Sequence, residues 1–517
     1  MQNIKIFALV IISSLVLNSC NKEVKEEAKT DSKVWPYGTM YEIFVQSFAD
    51  SNGDGIGDIK GMTSKLDYLQ ELGIQGVWLM PISPSPSYHK YDVIDYYGIH
   101  PDYGTMDDFK TFVKEAHSRN IKVVIDLVIN HTASEHPWFI DAASGPDSKY
   151  RDYYVWANLD SVKDQLSKKE ITLDSDNITQ WHQAEGNEEV YYGFFWGGMP
   201  DLNYDKPEVR QEMIKAGKFW LEEVDVDGLR LDAARHIYPD DQAEDSHAFW
   251  VEFGDAMRSV KPDVYMVGEV WGEPEDVGPY LQGLPSMFNF DFYHGIQKIV
   301  KEEYNYGLVK DLINTQKVYQ KIQDNYIDAI FVNNHDQNRL ISNVEGNREK
   351  SKLSAAILLT LPGMPYIYYG DEIGMLGQKP DPEIREPFLW DYKGKSDDRT
   401  YWMEAVNSTD ETVIPLSVQK EDPSSTYSFF KYWVQLRNQH EILRFGNLEA
   451  LSLSENLLGY ARVDAENRWI VLHNLTGSNQ SVNVKELGAS EVLYTFNKKI
   501  EENDMLELPP FSSVILQ

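Results

Sequence analysis

Residues 121–131 read IKVVIDLVINH. From Lys122 to Val128 the run is short, apolar and β-branched, apart from Asp126, and Asn130 and His131 follow it. Such a run reads as a buried strand. The same pattern recurs along the chain. Tyr41–Val45 and Gly76–Met80 precede it, and Val226–Leu231, Val264–Gly268, Met287–Phe290, Ala329–Val332 and Met364–Tyr368 follow it. Helical spacing fills the gaps, as in Thr63–Leu72, closed by Gly73, and in Asp107–Arg119. Strands alternating with helices imply a parallel sheet. Eight of them over this length fit a closed (β/α)8 TIM barrel, an α/β fold, better than an open doubly wound sheet. A glycine fingerprint for phosphate after the first strand, which the open sheet would favour, is missing.

Two segments break the rhythm. Residues 132–203 are polar and irregular, carry Trp138, Tyr153, Trp156, Trp181 and Trp196, and read as a domain inserted after the third strand. Residues 445–517 alternate instead, as in Trp469–His473 and Ser513–Leu516, and read as a C-terminal β-sandwich. The barrel then occupies 35–131 and 204–444. The chain has 517 residues and a net charge of −34, which excludes nucleic acid as a partner. Its many aromatic rings suit both cores and sugar-binding surfaces.

Barrel sites are built from residues at the C-terminal ends of the strands. Those positions hold Asp126, Asn130 and His131, then Arg230 and Asp232, then Glu269, then His335 and Asp336. Two carboxylates across a site can break a glycosidic bond, one attacking the anomeric carbon and the other protonating the leaving oxygen. Arg230 and Asp232, two apart on a strand, share a face. The arginine is expected to keep Asp232 ionised, and an apolar pocket with Trp271 to keep Glu269 protonated.

With these residues in view, DLVINH (126–131), GLRLDAARH (228–236), GEVW (268–271) and FVNNHD (331–336) resemble the four signature regions of the α-amylase family, glycoside hydrolase family 13, in order and spacing. MPDLN (199–203) resembles its fifth region. The resemblance is to bacterial lipoprotein α-amylases of the branch between oligo-1,6-glucosidases and neopullulanases. It implies that Asp232 is the nucleophile, Glu269 the acid/base and Asp336 the carboxylate that holds and distorts the sugar. It further implies substrate contacts from Tyr91, His131, Arg230 and His335, and leaving-group-side contacts from Arg235 and His236. The expected activity is retaining, endo-type hydrolysis of α-1,4 links in starch and maltodextrins, by a monomer. Exo-acting α-glucosidases and oligo-1,6-glucosidases usually carry an Asp three residues before the platform tyrosine, where this chain has Tyr88. A surface starch-binding lipoprotein with incidental activity would be expected to carry a damaged nucleophile or acid, and neither is damaged.

Residues 50–61, DSNGDGIGDIKG, read as a calcium loop of EF-hand spacing with Gly61 where the closing Glu belongs. The family resemblance implies one Ca2+ here, on Asp50, Asn52, Asp54, the carbonyl of Ile56 and Asp58. At the N-terminus, Lys5 and the apolar run Ile6–Leu17 have the build of a signal peptide, taken as 1–19. Leu17-Asn18-Ser19-Cys20 resembles a lipobox, with Cys20, the only cysteine, as the lipidated residue. Residues 20–34 read as a charged tether, which implies export and anchoring to a bacterial membrane, at the outer membrane on its periplasmic or surface face.

Overall fold

The structure, a computed structural model, describes residues 35–166, 179–496 and 505–517. The signal peptide, Cys20 and the tether lie outside the described residues. Strands β1 (Met40–Ile43), β2 (Gly76–Leu79), β3 (Lys122–Leu127), β4 (Gly228–Leu231), β5 (Tyr265–Gly268), β6 (Ser286–Phe288), β7 (Ile327–Phe331) and β8 (Met364–Tyr368) close a barrel in the order β1-β8-β7-β6-β5-β4-β3-β2. Every pairing is parallel.

Register explains why the barrel has a polar mouth. Asp126 stands opposite Arg230 across β3 and β4, and Glu42 stands opposite Trp78 across β1 and β2. Below them the interior is aromatic: Trp78 meets the rings of Phe288 and Tyr366, and the Tyr265 hydroxyl bonds those of Ser286 and Tyr366. Aromatic and apolar packing thus fills the barrel interior, and Asp126 and Arg230 stand near the end where the strands finish.

Local chemistry shifts several boundaries. The first strand stops at Ile43, and Val45–Phe48 makes a helical turn. The helix expected over Thr63–Leu72 is two helices, Ile59–Ser64 and Leu66–Leu72, meeting at Lys65. Asp58 caps the first by accepting from the Gly61 N–H, and Gly73, at φ 97°, closes the second. Thr105 and Asp108 form a reciprocal cap on Met106–Ser118.

Within 132–203 the strands Trp156–Asn158, Trp181–Gln183 and Glu189–Tyr192 make a small antiparallel sheet with the last in the centre. Phe139, Trp156 and Tyr191 pack beneath it. After the barrel, β9 (Asn447–Ala450), β10 (Leu457–Val463), β11 (Arg468–Asn474), β13 (Val492–Thr495) and β15 (Ser513–Leu516) form one sheet, ordered β9-β10-β11-β15-β13. β12 (Gln480–Asn483) and β14 (Met505–Leu508) form a second. Val482, Leu506 and Leu508 of the small sheet share a core with Leu457, Ile470, Leu472 and Val514 of the large one. This is the sandwich expected from the alternation.

Two buried arginines brace the barrel where it meets the sandwich: Arg437, on the barrel's helix Thr426–Gln439, ties barrel segments to one another, and Arg462, on β10, crosses from the sandwich to the barrel. Arg437 donates to the carbonyls of Leu359, Leu361, Gly363 and Leu443, and Arg462 to those of Thr360, Leu443 and Gly446. Arg437→Ala removes the donor from these carbonyls and leaves a cavity. Counting the Leu359, Leu361 and Gly363 bonds at about 1 kcal/mol each, unfolding in urea should occur with about 3 kcal/mol less stability. An unchanged urea midpoint would show that these bonds contribute nothing.

Candidate active site

Arg230 organises the mouth of the barrel. Its side chain is 1% exposed and rests over the ring of Trp78. Nη1 donates to both oxygens of Asp126 (2.9 and 3.0 Å) and to Oδ1 of Asp232 (2.6 Å), while Nη2 donates to Oε2 of Glu269 (2.5 Å). One guanidinium thus holds carboxylates from three neighbouring strands. The nearest oxygens of Asp232 and Glu269 are separated by no more than one guanidinium and two hydrogen bonds.

One positive charge cannot offset three buried negative ones. Burial therefore raises the carboxyl groups of Asp232 and Glu269 above their ordinary values against the pull of Arg230. Asp126, deeper still, is pushed up to about 7 by burial. The attraction expected of Arg230 on Asp232 is present, and desolvation exceeds it. The Trp271 indole N–H donates to the Oε1 of Glu269 at 3.2 Å. Asp126 lies inside β3, not beyond its end.

Asp336 has the opposite environment. Burial alone would raise it, but His335 and Arg385 hold it well below the usual carboxylate range. His335 Nε2 lies 3.0 Å from Asp336 Oδ2, and Arg385 Nη2 donates to Oδ1 at 2.9 Å. The same Nε2 meets the Tyr91 hydroxyl at 2.6 Å, and the two rings stack 5.4 Å apart. Tyr91 also donates to Asp126 at 2.9 Å. His131 faces the backbone carbonyl of Tyr91 at 3.1 Å, and burial lowers it to about 4, so it is a neutral imidazole at neutral pH.

Directly after Asp232, Ala233 takes a left-handed φ of 48°, unusual for a residue with a side chain. This bend turns the chain toward β5, so that Ala234 N–H donates to the Glu269 carbonyl at 3.1 Å. Arg235 and His236 follow on that turn. Arg235 bonds the Trp271 carbonyl and Asp240, and His236 stacks on Phe194 at 3.9 Å. Asp232, Glu269 and Asp336 line one open cleft of about 310 Å³ together with Tyr91 and His131.

Sequence reasoning missed several residues of this cleft. Arg385 and Asp381 come from the segment after β8, where no strand-end pattern marks them. Phe195 and Trp196 reach in from the inserted segment, and Trp196 is 53% exposed. Glu42 was marked only by being an acid inside an apolar strand. Tyr88 receives a hydrogen bond from Arg385 at 3.1 Å and stacks on Trp402.

The acidic loop lies apart from these residues. Asp50 accepts from the N–H groups of Asn52, Gly53 and Gly55, Asp54 from that of Ile56, and Asp58 from those of Ser51 and Gly61. A Cβ on Gly61 would stand 2.1 Å from the Ala49 carbonyl oxygen, so the closing Glu of an EF-hand has no room there. The donors over 50–58 are all hard oxygens, the kind calcium takes. Among the described residues no three acidic, His or Cys groups converge closely enough to hold an ion as they stand.

Comparison with known proteins agrees with this geometry. The family "Alpha amylase, catalytic domain" matches residues 42–446, and "Alpha-amylase SusG C-terminal domain" matches 457–515. The chain is 43% identical to Alpha-amylase 3 of Dictyoglomus thermophilum, over 92% of each chain. It is 38% identical to a 4-alpha-glucanotransferase of Thermotoga maritima, over 84% of this chain and 95% of that one. The solved structure of an alpha-amylase from H. orenii superposes with a TM-score of 0.85 at 42% identity, covering 93% of this chain and 99% of that one. The parallel barrel, the sandwich behind it and the matching sequence together make this chain a glycoside hydrolase that belongs to the α-amylase family.

Proposed function

We propose that this enzyme is an endo-acting, retaining α-amylase that cleaves α-1,4 links in starch and maltodextrins. The observation that carries the reading is the single guanidinium of Arg230 bonded to both Asp232 and Glu269. It brings both carboxyl groups to one guanidinium, and a retaining enzyme keeps its two carboxyl groups closer together than an inverting one does. In this reading Asp232 attacks the anomeric carbon as the bond to the leaving oxygen breaks, and Glu269 gives that oxygen its proton. Water then releases the sugar from Asp232, and Glu269 takes the proton from that water. Asp336, held ionised, grips the sugar at the cleavage point with His335, and Tyr91 lies beneath it.

Endo action is supported by Tyr88. An uncharged ring occupies the place where an exo-acting enzyme pins the free chain end, which lets a longer glucan pass. A transferase reading is the alternative, favoured by the Thermotoga relative, and it would use the same two carboxylates with a sugar hydroxyl in place of water. Asp232→Asn and Glu269→Gln should each cost at least a thousandfold in kcat on maltoheptaose without unfolding the protein. The sugar released first should be the α-anomer by NMR. The acid limb of kcat should lie above 3.8, since burial raises Asp232 above that ordinary value. A β-anomeric product, or a variant of either carboxylate with near-parental kcat, would refute the assignment.

We further propose one calcium ion at residues 50–58, held by Asp50, Asn52, Asp54, the Ile56 carbonyl and Asp58. Supporting it are the all-oxygen donor set and three carboxylates crowded into nine residues. The ion would brace the rim next to β1 without touching substrate. At calcium a hundredfold above its dissociation constant the gain is about 2.7 kcal/mol. A chelator should lower the parent's melting temperature, and Asp54→Ala should abolish most of that shift. A parent whose melting temperature ignores the chelator would rule the ion out.

The lipobox resemblance around Cys20 supports a lipid-anchored, exported enzyme. Among the described residues no helix is long and apolar enough to cross a membrane. Cys20→Ser should release the protein from the membrane fraction, since one residue would carry the whole anchor. A mutant that still sediments with membranes would exclude the lipid.

A further inference from the structure

Glu42 is a carboxylate inside the barrel. It sits on β1 opposite Trp78 of β2 and Tyr368 of β8, and it is 1% exposed. An acid buried this far is costly unless it is paired. Its hydrogen-bond partner is Nδ1 of His335, at 2.5 Å. His335 is itself fully buried, and its other nitrogen, Nε2, faces Asp336 Oδ2 at 3.0 Å and the Tyr91 hydroxyl at 2.6 Å. The imidazole is therefore clamped between two carboxylates, one beneath it and one at the cleft.

Resting on the reading of Asp336 and His335 given above, we propose that Glu42 is a positioning residue of the active site. Its carboxylate holds the Nδ1 proton of His335, so that Nε2 also carries a proton, shared between the Tyr91 hydroxyl at 2.6 Å and Asp336 Oδ2 at 3.0 Å. Glu42 touches no substrate and acts through the imidazole alone. A neutral His335 carrying its one proton on Nδ1 would turn a lone pair toward the Asp336 carboxylate and repel it. An imidazolium instead supplies the charge and the hydrogen bond that keep Asp336 ionised and aimed into the cleft.

The charged and titratable groups around this imidazole are Glu42 from β1, Tyr91 from the loop after β2, Asp126 from β3, and Arg230 and Asp232 from β4. Glu269 follows β5, Asp336 adjoins His335, and Arg385 donates to the His335 carbonyl at 2.8 Å. Trp78 presents a ring edge at 5.4 Å. Against burial, which lowers it, the carboxylates of Asp336 and Glu42 raise the His335 imidazole above its ordinary value.

The test is Glu42→Gln, which keeps the volume and a hydrogen-bonding group while removing the charge. In nitrogen-15 spectra of histidine-labelled protein, with the His335 signal assigned by its absence in His335→Gln, the parent should show an imidazolium at pH 8. Removing a neighbouring anion makes the proton leave more easily, so Glu42→Gln should lower the His335 titration midpoint by at least one pH unit. On maltoheptaose kcat should fall about tenfold or more with KM within twofold, and Glu42→Asp should recover part of the loss. A merely space-filling role would change the melting temperature and leave the His335 signal and kcat as in the parent; that result overturns the proposal. If Glu42→Gln does not fold, the parent spectrum decides: a neutral His335 at pH 8 overturns the proposal, and an imidazolium with a hydrogen-bonded Nδ1 proton upholds it. A parent inert on every α-glucan would refute the functional reading, and the spectrum would still decide the Glu42 contact.

Discussion

The buried guanidinium of Arg230 is the interaction on which the rest of the site depends. It reaches Asp126, Asp232 and Glu269 at once, and so ties together β3, β4 and the end of β5. Two features make this possible. Arg230 stands in register with Asp126, and the flat face of Trp78 lies beneath the guanidinium and occupies the space that water would otherwise take. Because one cation serves three acids, none of them is fully neutralised, and burial sets their protonation. A carboxyl group that keeps its proton more readily than usual is what an acid catalyst needs. A nucleophile needs the reverse, and the approach of a sugar with positive charge developing at its anomeric carbon would favour the ionised form of Asp232.

A second centre lies across the cleft. His335 and Arg385 supply two positive charges to Asp336, and here attraction exceeds desolvation. The three carboxylates of the cleft are thus divided by their neighbours: Asp232 and Glu269 share one cation with Asp126, and Asp336 has two close to itself. The division follows from where the strands end: Asp232 and Glu269 follow the adjacent strands β4 and β5, and Asp336 follows β7. Behind the mouth the aromatic interior and the buried arginines Arg437 and Arg462 keep the strand ends fixed, a requirement for groups that must meet a substrate within a fraction of an ångström.

Much of this was legible in the sequence. All eight strands showed as apolar runs, because a parallel barrel buries both faces of every strand. The acids and bases at their ends showed because charge is out of place beside such runs. Boundaries were less legible. Tyr41–Val45 looks continuous, but the chain leaves the barrel after Ile43, and nothing local in those side chains marks the exit. Arg385 was illegible because it comes from an irregular stretch and becomes a site residue only through folding. The charge state of Asp232 could not be read either, since spacing reveals a neighbouring arginine but not how deeply the pair is buried. Glu42 was visible as an acid in an apolar strand, and its partner, 293 residues away, was not.

The central claim is that Asp232 forms a covalent bond to the sugar while Glu269 handles the proton. An activated maltosyl fluoride given to the Glu269→Gln variant tests it most directly. Fluoride leaves without an acid, so the first step proceeds, but no base remains to activate water for the second. The sugar should therefore accumulate on the enzyme, and mass spectrometry of the digested protein should find one maltosyl unit on the peptide carrying Asp232. An unmodified Asp232 peptide while fluoride is released, or the sugar on another residue, would contradict the account.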